Sequence, residues 1–523
     1  MFESFKSKPE TEKVISFPIS ASQSSYGQIL KSSAIVGGSS ITNIALRIVR
    51  TKILALLLGP PGVGLVGVYG SICDLAESIA GMGLKSSGVR QVAESVGSQD
   101  DLQISRTIIT LRRVTLILGI FGALSILALS KPIAMFSFGD ARYARAIALL
   151  SLAVLFGVVS GGQTALVQGM RRIADLARLS VLGALFGTLF SIPIVYWLRE
   201  NGIPLFLVLV AGMGMVSSWW YARKIQTELI SIPWSDLATQ ASALLRLGFV
   251  FMTTAMMSLG TAYLVRVLVM RKIGVDAVGY YQAAWVLAGL YVGFILQAMG
   301  ADFYPRITGV AKENALCNRM LNEQAEIGLL IAVPGILGTI TFAPFVIYLF
   351  YSTDFAPTIE LLRWNCLGML LRIASWPMGF LLLAKGERGL YMLTESFANI
   401  VHVALIWFGI FVFGLVGAGM AFFGLYIFYG ILMYIVVRRL AGFRWSARCQ
   451  HLGLVFAPCV TFVVLTNYFL PHGWAMAIGM ATTLACALYS LKILSSLNAF
   501  ERIPSPIRKL FTQLNSLSGG TRV

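Results

Sequence analysis

This chain consists of long hydrophobic stretches separated by short polar connections. Each stretch contains about 20 residues, the length that a helix needs to cross roughly 30 Å of hydrocarbon at 1.5 Å per residue. We count about fourteen such stretches between residues 33 and 491. Backbone polar groups must be paired internally within lipid, and barrel strands would be short and alternating, so the pattern predicts transmembrane helices and no strands.

The polar connections indicate that this apolar pattern occurs twice. The hexad at residues 59–64, Gly-Pro-Pro-Gly-Val-Gly, joins two apolar stretches, and Gly-Val-Asp-Ala-Val-Gly does the same 215 positions later at 274–279. Further echoes keep an offset of 214 or 215: 138–140 with 352–354, and 166–169 with 381–384. A constant offset with six stretches per repeat predicts two lobes that enter the membrane in the same direction, with a transport pathway between them.

The predicted fold is therefore an all-α polytopic membrane protein, with two parallel pseudo-symmetric six-helix lobes around a central cavity and a C-terminal helical hairpin. Its predicted parts are an N-terminal tail (1–32), an N-lobe (33–222), an inter-lobe linker (223–245), a C-lobe (246–437), a linker with two extra helices (438–491) and a C-terminal tail (492–523).

Charge predicts the orientation. The chain has 41 Lys and Arg against 23 Asp and Glu, giving a net charge of +18. Most basic residues fall on one side of the predicted spans, and the other side holds only Lys131, Arg142, Arg145, Arg199, Arg271 and Lys272. By the positive-inside rule this predicts a membrane protein with both termini in the cytoplasm. The basic balance is thus a topology signal, and nucleic acid is not expected as a partner.

Catalytic and cofactor signatures are absent from the sequence. The six cysteines are scattered without a CxxC pair, there are only three histidines, and neither a metal site nor a Walker-type lysine follows. A GxGxxG match at 62–67 follows two prolines and has no strand before it, so it does not indicate a dinucleotide-binding site. No predicted periplasmic loop exceeds about 15 residues, which excludes a polysaccharide polymerase with an external catalytic domain. The first 30 residues lack the apolar core of a signal peptide. We expect a transporter that is not an enzyme and has no cofactor, with coupling to protons or sodium left open.

Charged residues inside the first two predicted spans are the first candidates for a site, because a buried charge costs roughly 3 kcal/mol at a helix centre. Arg47 and Arg50 share a face at i and i+3, as do Asp74 and Glu77, and Lys85 continues the second stripe. One interpretation pairs these arginines with the carboxylates to pin two helices together. The other places all of them in a water-filled cavity, with the arginines held ready for an anionic ligand.

The second half of the sequence supplies comparable residues. Arg266 lies one position from the repeat equivalent of Arg50, and Arg372 forms a stripe with Asn365 in the tenth span. Glu395, Asn399 and His402 form another stripe at i, i+4 and i+7. We interpret Glu395 and His402 as pathway residues or ion-coupling groups, although a histidine in such a helix is also commonly a packed core residue.

Several motifs resemble a known family, the bacterial flippases that move lipid-linked oligosaccharide repeat units of O-antigen and enterobacterial common antigen. The motifs are Leu-Gly-Pro-Pro-Gly-Val-Gly-Leu at 58–65, Ile-Ala-Gly-Met-Gly at 79–83, Val-Ala-Glu at 92–94, Tyr-Pro-Arg-Ile at 304–307, Leu-Ala-Lys-Gly at 383–386 and Tyr-Met-Leu-Thr-Glu at 391–395. The resemblance spans about residues 30 to 438 and places the chain in the multidrug/oligosaccharidyl-lipid/polysaccharide exporter superfamily. The extra helical pair exceeds the family's usual twelve spans, as in the lipid II flippase of the same superfamily.

The resemblance implies alternating access around a cationic cavity that binds an undecaprenyl-diphosphate-linked glycan. The cations to which we assign diphosphate contact are Arg47, Arg50, Lys52, Lys85, Arg266 and Arg372, since guanidinium groups match phosphate oxygens bidentately. Expected partners are this substrate, membrane lipids and the polysaccharide polymerase and assembly machinery. The alternative is an ion-coupled exporter of organic cations on the same fold, which the basic residues inside the spans disfavour.

Overall fold

The structure is a computed structural model that describes residues 25–225 and 233–496, and within these residues the secondary structure is entirely helical. Fifteen α-helices follow one another in this part of the chain, joined by short turns and three 3₁₀ segments. They are α1 (Ser25–Ala80), α2 (Leu84–Ser98), α3 (Asp101–Ala128), α4 (Ser130–Phe138), α5 (Ala144–Gly169), α6 (Ile173–Leu198), α7 (Ile203–Ala222), α8 (Trp234–Lys272), α9 (Val275–Gly309), α10 (Asn314–Thr341), α11 (Ala343–Phe350), α12 (Thr358–Ala384), α13 (Arg388–Ala441), α14 (Ala447–Phe469) and α15 (His472–Ser496).

Three of the apolar helical segments are long enough to cross a membrane twice. Eleven segments of the described chain are long and apolar enough to span, and three of them contain 44, 50 and 54 residues. Each of the three breaks once: at Gly59 in α1, at residues 199–202 between α6 and α7, and at Gly414 in α13. We call the two parts of α1 α1a and α1b, and those of α13 α13a and α13b. The eleven segments thus correspond to the fourteen predicted spans.

The backbone preserves the predicted repeat at the turns. Gly59 and Gly274, which are 215 positions apart, both have positive φ values, of 63° and 130°. Arg199 (φ 52°, ψ −132°) and Gly414 (φ 58°, ψ −139°) have the same offset and nearly the same conformation. Residues other than glycine rarely adopt a backbone conformation with positive φ. Its presence at Arg199 therefore identifies a turn whose geometry the two-lobe fold requires.

Successive spans alternate in direction, so the turns fall at two opposite ends of the bundle. We call the end that holds Gly59, Asp140, Arg199, Gly274 and Gly414 the outer end, following the orientation that the charge asymmetry predicts. The opposite end, at the turns 81–83, 170–172 and 385–387, is the inner end. The short helices α4 and α11 lie at the outer end, one in each lobe.

The linker between the lobes is shorter than predicted. Its predicted range was 223–245, but α8 begins at Trp234, and residues 226–232 lie outside the described part of the chain. The first turns of α8 are helical because Leu237 and Leu244 are buried against Leu84 and Val114 of the N-lobe. The tails predicted at 1–32 and 492–523 lie largely outside the described residues.

The second helix of the repeat differs between the lobes. In the N-lobe the chain breaks at Met82 and Gly83, which both have positive φ, and restarts as α2. In the C-lobe the equivalent chain continues without a break as α9. The break lets the backbone of Gly83 lie against that of Gly248 in α8. A Cβ atom added to Gly83 would overlap the carbonyl of Gly248, and one added to Gly248 would overlap the carbonyl of Met82.

The outer half of the interface between the lobes is tightly packed. Helices α1b and α9 cross with Gly64 against the carbonyl of Val275 and Gly279 against the carbonyl of Pro60, so that neither glycine has room for a Cβ atom. Gly64 and Gly279 are themselves 215 positions apart, and the crossing therefore lies on the pseudo-twofold axis. Buried apolar side chains of α1, α8 and α9 surround it and close the outer half.

The extra hairpin α14–α15 packs on α10 of the C-lobe. At its inner end Asn322 accepts from the N–H of Ser446 (2.8 Å) and donates to the carbonyl of Arg444 (3.0 Å). At its outer end Asn467 accepts from the guanidinium of Arg363 (2.7 Å), which is only 4% exposed. Polar bonds at both ends therefore fix the hairpin to the C-lobe.

Candidate transport cavities

One cavity lies in the N-lobe, between α1b, α2, α5 and α8, with a volume of about 490 Å³. Asp74 and Glu77 of α1b and Lys85 of α2 line it, and Lys85 is exposed where the cavity meets the inner end. The Glu77 carboxylate lies directly over Gly157, where an added Cβ atom would overlap it. The cavity thus has two carboxylates and one cation on adjacent walls.

A second cavity lies in the C-lobe, between α8, α9, α12 and α13, with a volume of about 380 Å³. Four of the predicted site residues line it, namely Arg266, Arg372, Glu395 and His402. Aromatic side chains cover much of the remaining wall: Tyr281, Trp285, Trp376, Phe380, Tyr391, Phe422, Tyr426 and Tyr429. Such a surface offers ring faces and hydroxyl groups around a small number of charges.

Arg266 is the most buried cation of this cavity, with 9% of its surface exposed. Its Nε donates to Oε1 of Gln282 (2.9 Å) and its Nη1 to the carbonyl of Ala262 (2.8 Å). Among the described residues no carboxylate lies within ion-pair distance of it, although Asp74 across the lobe interface attracts it. Since a guanidinium has five N–H donors, Arg266 keeps donors for a ligand.

Arg372 is half-buried, and its guanidinium carbon lies 5.9 Å from the ring centre of Tyr426. Within the part of the chain that the structure describes, the guanidinium of Arg372 has no hydrogen bond or ion pair, and Glu395 is its electrostatic neighbour. Arg266 and Arg372 therefore present two incompletely paired positive charges to one enclosed space. The guanidinium groups of Arg47 and Arg50 also have no hydrogen-bond or ion-pair partner among the described residues, and Arg47 attracts Asp74, but neither arginine lines either of these cavities.

Glu395 and His402 line the same cavity but are held differently. The hydroxyl of Tyr429 donates to Oε1 of Glu395 at 2.7 Å. His402 is 7% exposed, and its Nε2 has no hydrogen-bond partner among the described residues. A buried imidazole nitrogen without a partner can take up a proton or accept a hydrogen bond from a polar group.

The predicted cation Lys52 lies apart from both cavities. Its ammonium group donates to the carbonyl of Tyr348 (2.9 Å) and to that of Tyr351 at the outer end. Lys52 follows Arg50 by two positions, and residues at i and i+2 do not share a helical face, so the sequence contained the signal that separates them. The sequence analysis also missed Gln282, an amide in the apolar helix α9 that accepts a hydrogen bond from Arg266.

The N-lobe cavity lies in the inner half of the bundle, and the C-lobe cavity extends from the inner end into the outer half. The N-lobe cavity runs from Asp74 to the inner turn at Gly83, and the C-lobe cavity from Arg266 to Leu383 and Tyr391 near the inner end. The outer half is closed by the α1b–α9 crossing described above. The lobes therefore meet tightly at the α1b–α9 crossing, whereas both cavities reach toward the inner end.

Comparison with known proteins agrees with this geometry. A family model described as "Polysaccharide biosynthesis protein" matches residues 53–360. The lipid III flippase of Escherichia coli (strain K12) is 25% identical over 410 residues, which cover 77% of this chain and 96% of that protein. This relative confirms the resemblance that the sequence motifs predict.

Solved structures share the fold at low sequence identity. The lipid II flippase MurJ in an inward closed conformation has a TM-score of 0.68 at 14% identity and covers 90% of this chain and 99% of its own. An inward-facing multidrug resistance MATE family transporter of the MOP superfamily has a TM-score of 0.65 at 17% identity, covering 78% of this chain and 95% of its own. They confirm the predicted two-lobe helical fold, and the names of all three relatives agree with a transporter that is not an enzyme.

Proposed function

The chain belongs to the polysaccharide biosynthesis protein family, and from this premise we propose that it is a flippase that moves a lipid-linked glycan across the bacterial inner membrane. The similarity to a protein named lipid III flippase supports this cargo class. We place the glycan and its phosphate group in the two cavities and the lipid tail in the bilayer. The substrate moves without any bond being made or broken.

The observation that carries the proposal is the pair of incompletely satisfied arginines in an enclosed cavity. Arg266 and Arg372 line one space, and neither has a carboxylate within ion-pair distance in the described part of the chain. A buried cation without a counter-ion is costly, so a bound anion would stabilise it. A diphosphate suits this arrangement because its oxygens accept bidentate hydrogen bonds from guanidinium groups.

The finer steps of the proposal are undecaprenyl diphosphate as the carrier and alternating access as the mechanism. The substrate enters the two cavities from the cytoplasmic leaflet, the outer end then opens, and the glycan leaves to the periplasmic leaflet. Coupling to protons through Glu395 and His402 is part of the proposal, since both line the C-lobe cavity. Delivery of the glycan to a polymerase and its assembly machinery would follow.

The test is to delete the gene and identify the lipid-linked intermediate that accumulates on the cytoplasmic side. Re-expression of the wild-type protein should clear it, whereas a variant with Arg266 and Arg372 replaced by Met should insert in the membrane and leave it in place. Collapse of the proton gradient in everted vesicles should stop delivery if Glu395 and His402 couple transport. An unchanged pool of lipid-linked glycans in the deletion strain contradicts the proposed cargo.

A second candidate is the export of organic cations. Asp74 and Glu77 give the N-lobe cavity two carboxylates, which would attract such a cargo, and the aromatic walls of the C-lobe cavity would stack on it. The same deletion strain distinguishes the two, because loss of a cation exporter sensitises the cells to cationic dyes without accumulation of a lipid-linked glycan.

A further inference from the structure

Two cations at the outer end reach from one lobe to the backbone of the other. Lys52 of α1a, in the N-lobe, donates to the carbonyls of Tyr348 and Tyr351 at the end of α11 in the C-lobe. Arg271, at the end of α8 in the C-lobe, donates to the carbonyl of Met135 in α4 of the N-lobe at 3.0 Å. The two contacts are reciprocal, because each lobe supplies one cation and one short helix.

The acceptors explain why cations occupy these positions. The last carbonyls of a helix have no partner within it, and the C-terminal end of its dipole attracts positive charge. Helices α4 and α11 contain only nine and eight residues, and both end in the outer region. The Met135 carbonyl accepts from the N–H of Gly139 (3.1 Å), so the bond from Arg271 is its second. Gly139, which follows α4 with φ 75°, leaves the space that the Arg271 guanidinium fills, where a Cβ atom would collide with it.

The two cations do not occupy the same position in the repeat. Lys52 corresponds to Val267, and Arg271 to Leu56, so the cations are one helical turn apart when the lobes are superimposed by sequence. Each lobe thus has a cation on the last turns of its first helix that contacts the short helix of the opposite lobe. The matching geometry from different positions indicates that the contact itself, and not an inherited residue, is what the two halves share.

From this reciprocity we infer that Lys52 and Arg271 are paired latches that hold the outer end shut and separate when it opens. The inference rests on the proposed translocation function, which requires an outer-open state. Each latch joins the lobes through hydrogen bonds from one flexible side chain, at an end where water can replace it. Breaking such bonds costs little compared with breaking the buried crossing of α1b and α9, so the latches adjust a balance between closed and open forms that the crossing dominates.

Other outer-end cations provide matched controls. Arg142 pairs with Asp140 at 2.6 Å within the N-lobe, and the contact does not cross to the other lobe. Lys272 is the exposed neighbour of Arg271, at the same helix end. Replacing either removes a similar charge from the same end without removing a link between the lobes.

The experiment measures the distance across the outer end in purified protein in lipid nanodiscs. Spin labels are attached to cysteines introduced at Lys131 in α4 and at Phe345 in α11, both of which are exposed. Cys459 is replaced by Ser, and the five buried native cysteines remain. Lys52→Met and Arg271→Met are compared with Arg142→Met and Lys272→Met. No substrate is needed, so the result does not depend on the identity of the cargo.

Each latch variant should raise the ratio of long to short distances about fivefold, which corresponds to hydrogen bonds from charged groups discounted for partial exposure. The double variant should show about the product, roughly 25-fold, because the two latches share no partner. Lys52→Arg and Arg271→Lys keep their donors and should stay near the wild-type ratio, which a role in packing alone would not predict. Both control variants should leave the ratio unchanged.

A double Met variant that folds and keeps the wild-type distance distribution overturns the inference. If that variant does not fold, Lys52→Gln and Arg271→Gln carry the test, and an unchanged ratio in both has the same meaning. Failure of the latches is distinguishable from failure of the proposed function. Unshifted distances with normal glycan delivery reject only the latches, whereas shifted distances without any accumulated glycan in the deletion strain reject the cargo and retain the latches.

Discussion

Arg266 provides the sharpest test of the C-lobe cavity as an anion site. The change is Arg266→Met, which keeps the length and apolar stem of the side chain and removes its charge and donors. In the structure two of the five guanidinium N–H groups are directed to Gln282 and to the carbonyl of Ala262. The free donors and the charge are therefore what a phosphate ligand would lose.

The size of the effect follows from the number of bonds. A hydrogen bond from a charged group contributes about 1.5–3 kcal/mol, and a bidentate contact makes two of them. Even the lower value gives about 3 kcal/mol, which is roughly a hundredfold weaker binding at 1.4 kcal/mol per tenfold. The variant should not lose much stability, because removing an uncompensated buried charge offsets the loss of two hydrogen bonds.

The assay is equilibrium binding of a prenyl diphosphate to purified protein in nanodiscs, together with thermal unfolding in detergent. Arg363→Met is the matched control, because Arg363 is a buried arginine that is already bound to Glu360 (2.6 Å) and Asn467 (2.7 Å). That variant should unfold at a lower temperature and bind the diphosphate as the wild type does. Arg266→Met should show the reverse: wild-type stability and weak binding.

The reasoning is refuted if Arg266→Met binds the prenyl diphosphate within about threefold of wild type. It is also refuted if both arginine variants lose binding equally, since a global effect on the fold would then explain the result. Arg266→Lys, which keeps the charge without the planar fork, should bind with an intermediate affinity.

Three further predictions concern the same framework. Gly157→Ala should displace the Glu77 carboxylate and alter transport at nearly wild-type stability, while Gly161→Ala, where a Cβ atom meets nothing within 4 Å, should have no effect in the same delivery assay. Arg199→Ala should lower the free energy of unfolding by about 1 kcal/mol, because the variant loses the hydrogen bond to the Leu57 carbonyl and keeps the strained positive φ. Arg199→Gly loses the same bond but relieves the backbone strain, so its thermal unfolding should be close to that of the wild type. Asn467→Ala should cost about 1–3 kcal/mol and lower the melting temperature in detergent, since Arg363 loses its link to the extra hairpin; equal melting temperatures would show that the hairpin is held by apolar packing alone.

Helical spans and their pairing into two repeats could be predicted from the sequence, but the break of the second span at Met82 and Gly83 could not. The bilayer imposes a length on every apolar segment, and glycine or proline identifies a turn, as at Gly59 and Gly414. Contacts between the lobes could not be predicted in the same way. Whether Lys52 contacts a ligand or a carbonyl of α11 depends on the packing angle between two lobes, which no local pattern specifies.

Some of the residues that line the cavities could be predicted from the sequence, but their arrangement in space could not. Polar stripes identified Asp74, Glu395 and His402, because a charge in an apolar helix requires an internal partner or water. Their division between two cavities follows from α8, which the sequence shows only as one more apolar span. The first half of this helix packs on the N-lobe, through Leu244, and its second half carries Arg266 into the C-lobe.

This position gives α8 a physical reason to couple binding to movement of the lobes. Its residues line both cavities, and Arg266 on it is attracted by Asp74 of the N-lobe across the interface. In the proposed mechanism, an anion bound to Arg266 would compete with that attraction and would therefore weaken one electrostatic link between the lobes when the site is filled. A ligand shifts a conformational equilibrium only by its difference in affinity between two states. Exchange of Asp74 for the ligand anion supplies such a difference, and it acts on the same helix whose outer end carries Arg271.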